Sequence, residues 1–203
     1  MTCEATVFIV DDDAAVRRFL LGLIASVDLP VEAYASAQEF LDAYEPGRPG
    51  CLLLDVRMPG MSGLELQTKL VERAIRLPVI ILTGHGDVQV AVRAMKVGAF
   101  DFIEKPFSNE LLLDRIQKAV TESVHADNNR AEQDEIIGRI RRLTPRERQV
   151  LDLVVAGETN KGVASRLDIS EKTVETHRAR VMEKMCAKSL AGLVKMVARL
   201  TVD

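Results

Sequence analysis

Five short apolar runs, each followed by a stretch of helical periodicity, constrain what the first 120 residues can fold into. The strand-like runs lie at 6–10, 31–34, 51–54, 78–82 and 100–103. Helical patterns run near 13–27, 36–44, 63–72, 87–97 and 108–120. A short, continuously apolar run is the mark of a parallel strand buried on both faces, and the intervening helices supply the crossovers that parallel strands need. The expected fold is α/β: a doubly wound, five-stranded parallel sheet. Such sheets place ligands in the crevice outside the carboxyl ends of the strands.

Residues able to do chemistry follow four of these runs. Asp11 and Asp12 close Val7-Phe-Ile-Val10, and Asp55 closes Cys51-Leu-Leu-Leu54. Thr83 follows the fourth run, and Lys105 follows the fifth and precedes Pro106. Three carboxylates in one crevice repel one another unless a hard divalent cation neutralises them, so the pattern predicts a magnesium-type acidic pocket. In it Asp55 can act as a nucleophile toward phosphorus. The cation and Lys105 would neutralise charge on the phosphoryl oxygens while Thr83 donates a hydrogen bond. Singly, an Asp after a strand is usually an Asx-turn or a helix cap. It is the convergence of all these residues that points to a phosphoryl site. Lys105–Pro106 is a candidate cis bond, an isomer the sequence leaves open.

The formal charge of −3 is unevenly spread. Residues 1–120 carry 12 basic against 17 acidic side chains, 121–142 carry 4 against 5, and 143–203 carry 11 against 8. Only the last segment is basic, and it is the part expected to meet a polyanion. It contains four helical stretches and no convincing strand. In the first, Leu143-Thr-Pro-Arg-Glu147 forms a capping box with Pro145 at the first helical position, and Leu151, Val154 and Val155 face inward. Asn160 is expected to cap the second, and Ser170 the third, at 171–185, which buries Val174, Val181 and Met185. The last, near 189–200, is expected to pack through Leu190, Leu193, Val194 and Val197. Two short helices about a brief turn make a helix-turn-helix, whose second helix enters the major groove. There Lys172, Arg178 and Arg180 suit phosphates, with Lys161 and Thr173 on the flanks. Glu175, Thr176 and Ala179 share a face and suit base edges. His177 is either a base reader or a hydrogen-bonded residue near the DNA backbone.

The charge-rich, proline-free segment 121–142 is expected to be a mostly helical linker, giving the organisation 1–120, 121–142 and 143–203. Cys3, Cys51 and Cys186 are too few and too scattered for a disulfide framework or a zinc site. No apolar run approaches the ~20 residues that span a bilayer, and early acids spoil a signal peptide. The expectation is a cytoplasmic protein with no membrane partner. Tryptophan is absent, so the cores must be largely aliphatic.

Asp11-Asp12, Asp55 with Met58-Pro-Gly60 and Gly63, Thr83-Gly84 and Lys105-Pro106 resemble the receiver domain of bacterial two-component response regulators. Leu143-Thr-Pro-Arg-Glu147, Asn160-Lys161, Ile169-Ser170, Thr173-Val-Glu-Thr-His177 and Met182-Glu-Lys-Met185 resemble the LuxR-type DNA-binding domain. Together they resemble the NarL/FixJ family, nearest its FixJ branch, over nearly the whole chain. The resemblance implies a transcription factor, not an enzyme. Asp55 is then phosphorylated by a sensor histidine kinase, and the protein pairs as a homodimer through residues 87–103. It binds double-stranded promoter DNA, with RNA polymerase as a further partner. The resemblance also implies Mg2+ or Mn2+ held by Asp12, Asp55 and the backbone carbonyl of Arg57, with Asp11 acting through water. Thr83 and Phe102 become a switch pair whose coupled rearrangement reports phosphorylation. Arg57 and His85, flanking the pocket, are expected to tune the lifetime of the phosphoryl group. Glu175 departs from many relatives, which carry Lys there. A glutamate accepts from cytosine N4 but repels phosphates, which predicts a different base preference. Weak monomer binding is expected from a net of only +3, and pairing doubles the contacts. Two other readings compete. A dehalogenase-type phosphatase needs a second Asp where this chain has Arg57, and a phosphorylation-independent regulator would have no use for an intact pocket.

Overall fold

Each apolar run becomes a strand in the computed structural model, which describes residues 4–84 and 88–200. The strands are β1 (Thr6–Val10), β2 (Val31–Tyr34), β3 (Gly50–Asp55), β4 (Val79–Gly84) and β5 (Asp101–Lys105). All neighbours pair in parallel, in the order β2-β1-β3-β4-β5. This is the expected doubly wound sheet. Alternate side chains feed opposite faces. Phe8, Val10, Leu52, Leu54 and Ile81 enter one core, and Val7, Ile9, Leu53, Ile80 and Leu82 the other. Because both faces are covered at the centre of the sheet, β1, β3 and β4 are buried almost throughout, whereas the edge strands β2 and β5 carry Glu32, Asp101 and Glu104.

The crossovers are α1 (Ala14–Ala25), α2 (Ala37–Ala43), α3 (Gly63–Glu72) and α4 (Val88–Val97), followed by α5 (Asn109–Arg141). Asp13 caps α1, Ser36 caps α2, and Ser62 with Glu65 forms a capping box on α3. Phe8, Tyr34, Phe40 and Tyr44 meet edge-to-face or stacked at 5.3–5.8 Å between ring centroids. The Arg48 guanidinium lies 5.0 Å from the Phe8 centroid.

Two compact units meet in the chain between Asp127 and Asn128, inside α5 itself. The first turns of α5 bury Leu112, Ile116 and Ala119 against the sheet, and Ser123 Oγ accepts the Gly50 N–H at 3.0 Å. Its last turns bury Ile136 and place Ile140 against the core of the second unit. The apolar stripe fades beyond residue 120 because the helix changes the core it serves, not because the helix ends.

The second unit adds α6 (Pro145–Val155), α7 (Asn160–Leu167), α8 (Glu171–Lys184) and α9 (Leu190–Ala198). Val150, Leu151, Val163, Val174, Met185 and Leu193 form its centre. The capping box at Thr144 is present. Thr159, not Asn160, caps α7; Asn160 is its first residue, which frees that side chain for another bond. Leu190 is 45% exposed, contrary to the periodic expectation, because it sits on the first turn of α9, just after the Ser189 cap, where Leu193 already fills the core. Residues 128–203 contain no phenylalanine, tyrosine or tryptophan. Among the described residues, no helix is long and apolar enough to cross a membrane.

Candidate functional site

The order reversal beside β1 opens a crevice at the C-terminal ends of β1 and β3. Asp11 follows β1 and Asp55 closes β3. Lys105, at the end of β5, reaches across so that Nζ donates to Asp11 Oδ2 and Asp55 Oδ1, each at 2.8 Å. The remaining oxygens are also engaged. Asp11 Oδ1 accepts the Asp13 N–H at 2.9 Å, and Asp55 Oδ2 accepts the Arg57 N–H at 2.7 Å. Thr83 is buried at the end of β4, and Phe102, half-buried on β5, registers beside Ile81. The Lys105–Pro106 bond is cis.

Two carboxylates sharing one ammonium leave the trio with a net negative charge. Burial pushes the Asp55 carboxyl above its ordinary range; the Lys105 hydrogen bond opposes this and the Asp11 charge adds to it. Burial disfavours the Lys105 ammonium, yet the bonds to Asp11 and Asp55 outweigh it and hold its pKa above the ordinary value. Among the described residues, no three acids converge as a metal cluster, and Asp12 is exposed. The donors nevertheless suit a hard divalent cation. They are all oxygens, and the trio's surplus negative charge is partly screened from water.

One support, Arg17, went unread in the sequence, and Arg57, read as flanking the pocket, makes a bond the sequence did not reveal. Arg17 Nη1 donates to the Asp11 carbonyl at 2.7 Å and so fixes the peptide leading into Asp12. Its position four residues after the α1 cap was the available signal. Arg57 Nη2 donates to the Gly84 carbonyl at 3.3 Å, from the β3–α3 loop to the end of β4. His85, and Asp87 at the start of the 87–103 face, lie outside the described residues. On the described part of that face, Val92, Met95 and Val97 are exposed on α4, and Arg115 pairs with Asp101 at 3.1 Å.

In the second unit, Lys161, Lys172, Glu175, Thr176, Ala179 and Arg180 are exposed. Thr176 Oγ1 donates to its own helix at the Lys172 carbonyl. Two of the expected contact residues also bond inside the domain. Thr173 Oγ1 bonds Ser170 Oγ at 2.8 Å within the α8 cap, and Arg178 Nη1 donates to Asn160 Oδ1 at 2.5 Å. His177 is half-buried, and its Nδ1 has no protein partner among the described residues. Beneath them Glu147, whose side chain is 3% exposed, accepts from Lys184 Nζ at 2.7 Å and from the Thr144 N–H at 2.8 Å. The Lys184 hydrogen bond first, then the backbone bond from Thr144, pulls the Glu147 carboxyl down to about 2.

The family description "Response regulator receiver domain" matches residues 7–117, and "Bacterial regulatory proteins, luxR family" matches residues 141–197. The chain is 48% identical to the transcriptional regulatory protein FixJ of Rhizobium meliloti over 193 residues, covering 95% of each chain. It is 43% identical to FixJ of Bradyrhizobium diazoefficiens over 199 residues, covering 98% of this chain and 97% of that protein. The solved response regulator StyR aligns with a TM-score of 0.88 at 43% identity, covering 97% of this chain and 99% of its own. Full-length FixJ from B. japonicum aligns at 0.59 and 41% identity, covering the whole of both chains.

Proposed function

This chain belongs to the FixJ-like response regulators, receiver domain followed by LuxR-type DNA-binding domain, and from that membership we propose how its own residues carry the signal. Residues 1–120 act as receiver, 121–142 as helical linker and 143–203 as DNA-binding domain. A partner histidine kinase presents a phosphohistidine. An Asp55 carboxylate oxygen bonds to phosphorus as the P–N bond breaks, so the product is an acyl phosphate on Asp55. Lys105 neutralises charge on the transferred oxygens and Thr83 donates to one of them. Asp12, Asp55 and the Arg57 carbonyl, with Asp11 through water, would hold Mg2+ or Mn2+, which supplies further neutralisation when bound. The observation that carries this reading is Lys105 spanning Asp11 and Asp55 at 2.8 Å.

A phosphoryl group adds roughly −1.5 to −2 charge, and Thr83 and Phe102 relay that change to the face of residues 87–103. Exposed Val92, Met95 and Val97 give this face the apolar character of a pairing surface. The paired protein sets two copies of α8 on a two-fold promoter site, where Lys161, Lys172 and Arg180 hold phosphates and Glu175, Thr176 and Ala179 meet base edges. Promoter-bound protein then engages RNA polymerase. Arg178 and Thr173 support this surface from within, and His177 lies at its edge.

The test compares promoter binding and oligomeric state of wild type and Asp55→Ala, with and without acetyl phosphate and magnesium. Wild type should pair and bind only with the phosphodonor, and Asp55→Ala should do neither. Equal binding by both proteins would favour control through protein contacts alone.

A further inference from the structure

The start of α3 is set directly against the phosphoacceptor. A Cβ added at Gly63 would lie 2.1 Å from the Asp55 carbonyl oxygen, and the Gly63 N–H donates to the Val56 carbonyl at 3.0 Å. One turn along, Gln67 is buried in the seam between α3 and α4. Its Nε2 donates to the Ala94 carbonyl of α4 at 3.0 Å, and the same carbonyl accepts the Ala99 N–H at 3.0 Å. Ala94 is fully buried, while Val92, Met95 and Val97 on the same helix face solvent. The other end of the amide, Oε1, has no protein donor within reach among the described residues.

A buried amide satisfied at one end only contributes little to net stability, because the bond at Nε2 is offset by the desolvated oxygen at Oε1. Leu66 and Leu70, its neighbours on the buried side of α3, show what a helix built for stability alone would use there. Gln67 therefore does more to fix where α4 lies than to hold the fold together. The Asp55 carboxylate is bonded to the Arg57 N–H, so charge added at Asp55 acts on the loop that leads into α3.

We propose that Gln67 is a positioning residue, a latch that ties α4 to α3 before phosphorylation and passes movement of the Asp55 loop to the apolar face of α4, in parallel with Thr83 and Phe102. The proposal rests on the reading that α4 pairs once Asp55 is phosphorylated.

The experiment uses full-length Gln67→Leu and Gln67→Met beside wild type. Three quantities are read: amide hydrogen exchange, sedimentation with and without acetyl phosphate and magnesium, and the rate of labelling by acetyl phosphate. Without phosphodonor, the variants should keep or raise the melting temperature and exchange the α4 amides at least fivefold faster, with the sheet unchanged. Their dimer fraction should rise severalfold, and labelling should stay within twofold of wild type. Wild-type exchange in α4 would overturn the latch. Faster exchange throughout the first unit with a lowered melting temperature would also overturn it, since Gln67 would then be merely structural. Faster α4 exchange in a protein that never pairs, phosphorylated or not, would uphold the latch and remove the pairing reading instead.

Discussion

Replacing Asp55 with asparagine should abolish phosphorylation yet make the first unit more stable at neutral pH. Both carboxylates bond the same ammonium at 2.8 Å, so their bonded oxygens lie close together. At an effective dielectric of about 20, their repulsion across roughly 5 Å is about 3 kcal/mol, against about 6 kcal/mol of attraction between Asp55 and Lys105. The difference, near 3 kcal/mol in favour of the charge, is set against several kcal/mol for taking a carboxylate out of water. Burial is the larger effect on the Asp55 carboxyl, with the Lys105 bond opposing it. Asparagine retains an acceptor for the Arg57 N–H and leaves Lys105 paired one-to-one with Asp11. Taking that desolvation cost as about 4 kcal/mol against the roughly 3 kcal/mol in favour of the charge leaves a net gain of about 1 kcal/mol, or roughly 3–5 °C for a unit of this size. The pH dependence has a definite sign. A carboxyl whose folded pKa is raised costs stability above that pKa and nothing below its unfolded value of about 3.9. The advantage of Asp55→Asn is therefore full at pH 7–8 and shrinks as pH falls through the folded pKa. Magnesium acts the other way. At a free concentration tenfold above its dissociation constant it adds about 1.4 kcal/mol to wild type, which should erase or reverse the ranking. Urea and thermal unfolding at pH 8, 7 and 5, with and without magnesium, measure all of this. An Asp55→Asn protein less stable than wild type at pH 7, or one whose advantage grows on acidification, would refute the reasoning.

Gly63→Ala puts a methyl against the Asp55 carbonyl, 2.1 Å away before relaxation. It should cost about 2–3 kcal/mol and slow labelling by acetyl phosphate; a wild-type urea midpoint would contradict the close approach. Lys184→Met strands the Glu147 carboxylate. Loss of a fully buried partner costs about 3–5 kcal/mol. Here Lys184 is about one-third exposed and the Thr144 bond survives, so about 2 kcal/mol is expected. Because the Glu147 pKa is lowered to about 2, its contribution is complete above its ordinary value and fades only as pH falls toward 2. The thermal defect should thus be constant from pH 6 to 8, and one that disappeared by pH 6 would point to another cause.

The central strands β1, β3 and β4 were legible because burial on both faces leaves apolar runs, and Asp11 and Asp55 because each stands at such a run's end; the edge strands and Lys105 gave a weaker signal, since Glu32, Asp101 and Glu104 interrupt their runs. Of the three acids, Asp11 and Asp55 are bridged by Lys105 and Asp12 is exposed. The reach of α5 past residue 120 was anticipated from composition, but its change of core was not, since periodicity records a buried stripe and not which neighbour buries it. Leu190 misled for the same reason: its spacing fits the stripe, while the end of the helix decides its exposure. Gln67 was invisible as a tie because a glutamine in a helical stripe reads as a surface residue until the facing carbonyl of Ala94 is known. The bond from Arg178 to Asn160 could not be foreseen, because nothing in a helix sequence reveals that Asn160 stands opposite.

The aromatic cluster around Phe40 has an optical consequence. The chain has no tryptophan, and its two tyrosines, Tyr34 and Tyr44, both belong to that cluster. Residues 128–203 hold no phenylalanine, tyrosine or tryptophan, so tyrosine emission and near-ultraviolet aromatic ellipticity report on the first unit alone, while far-ultraviolet ellipticity sums over both. A single unlabelled sample melted at two wavelengths therefore reports whether the halves of the molecule come apart together or one after the other.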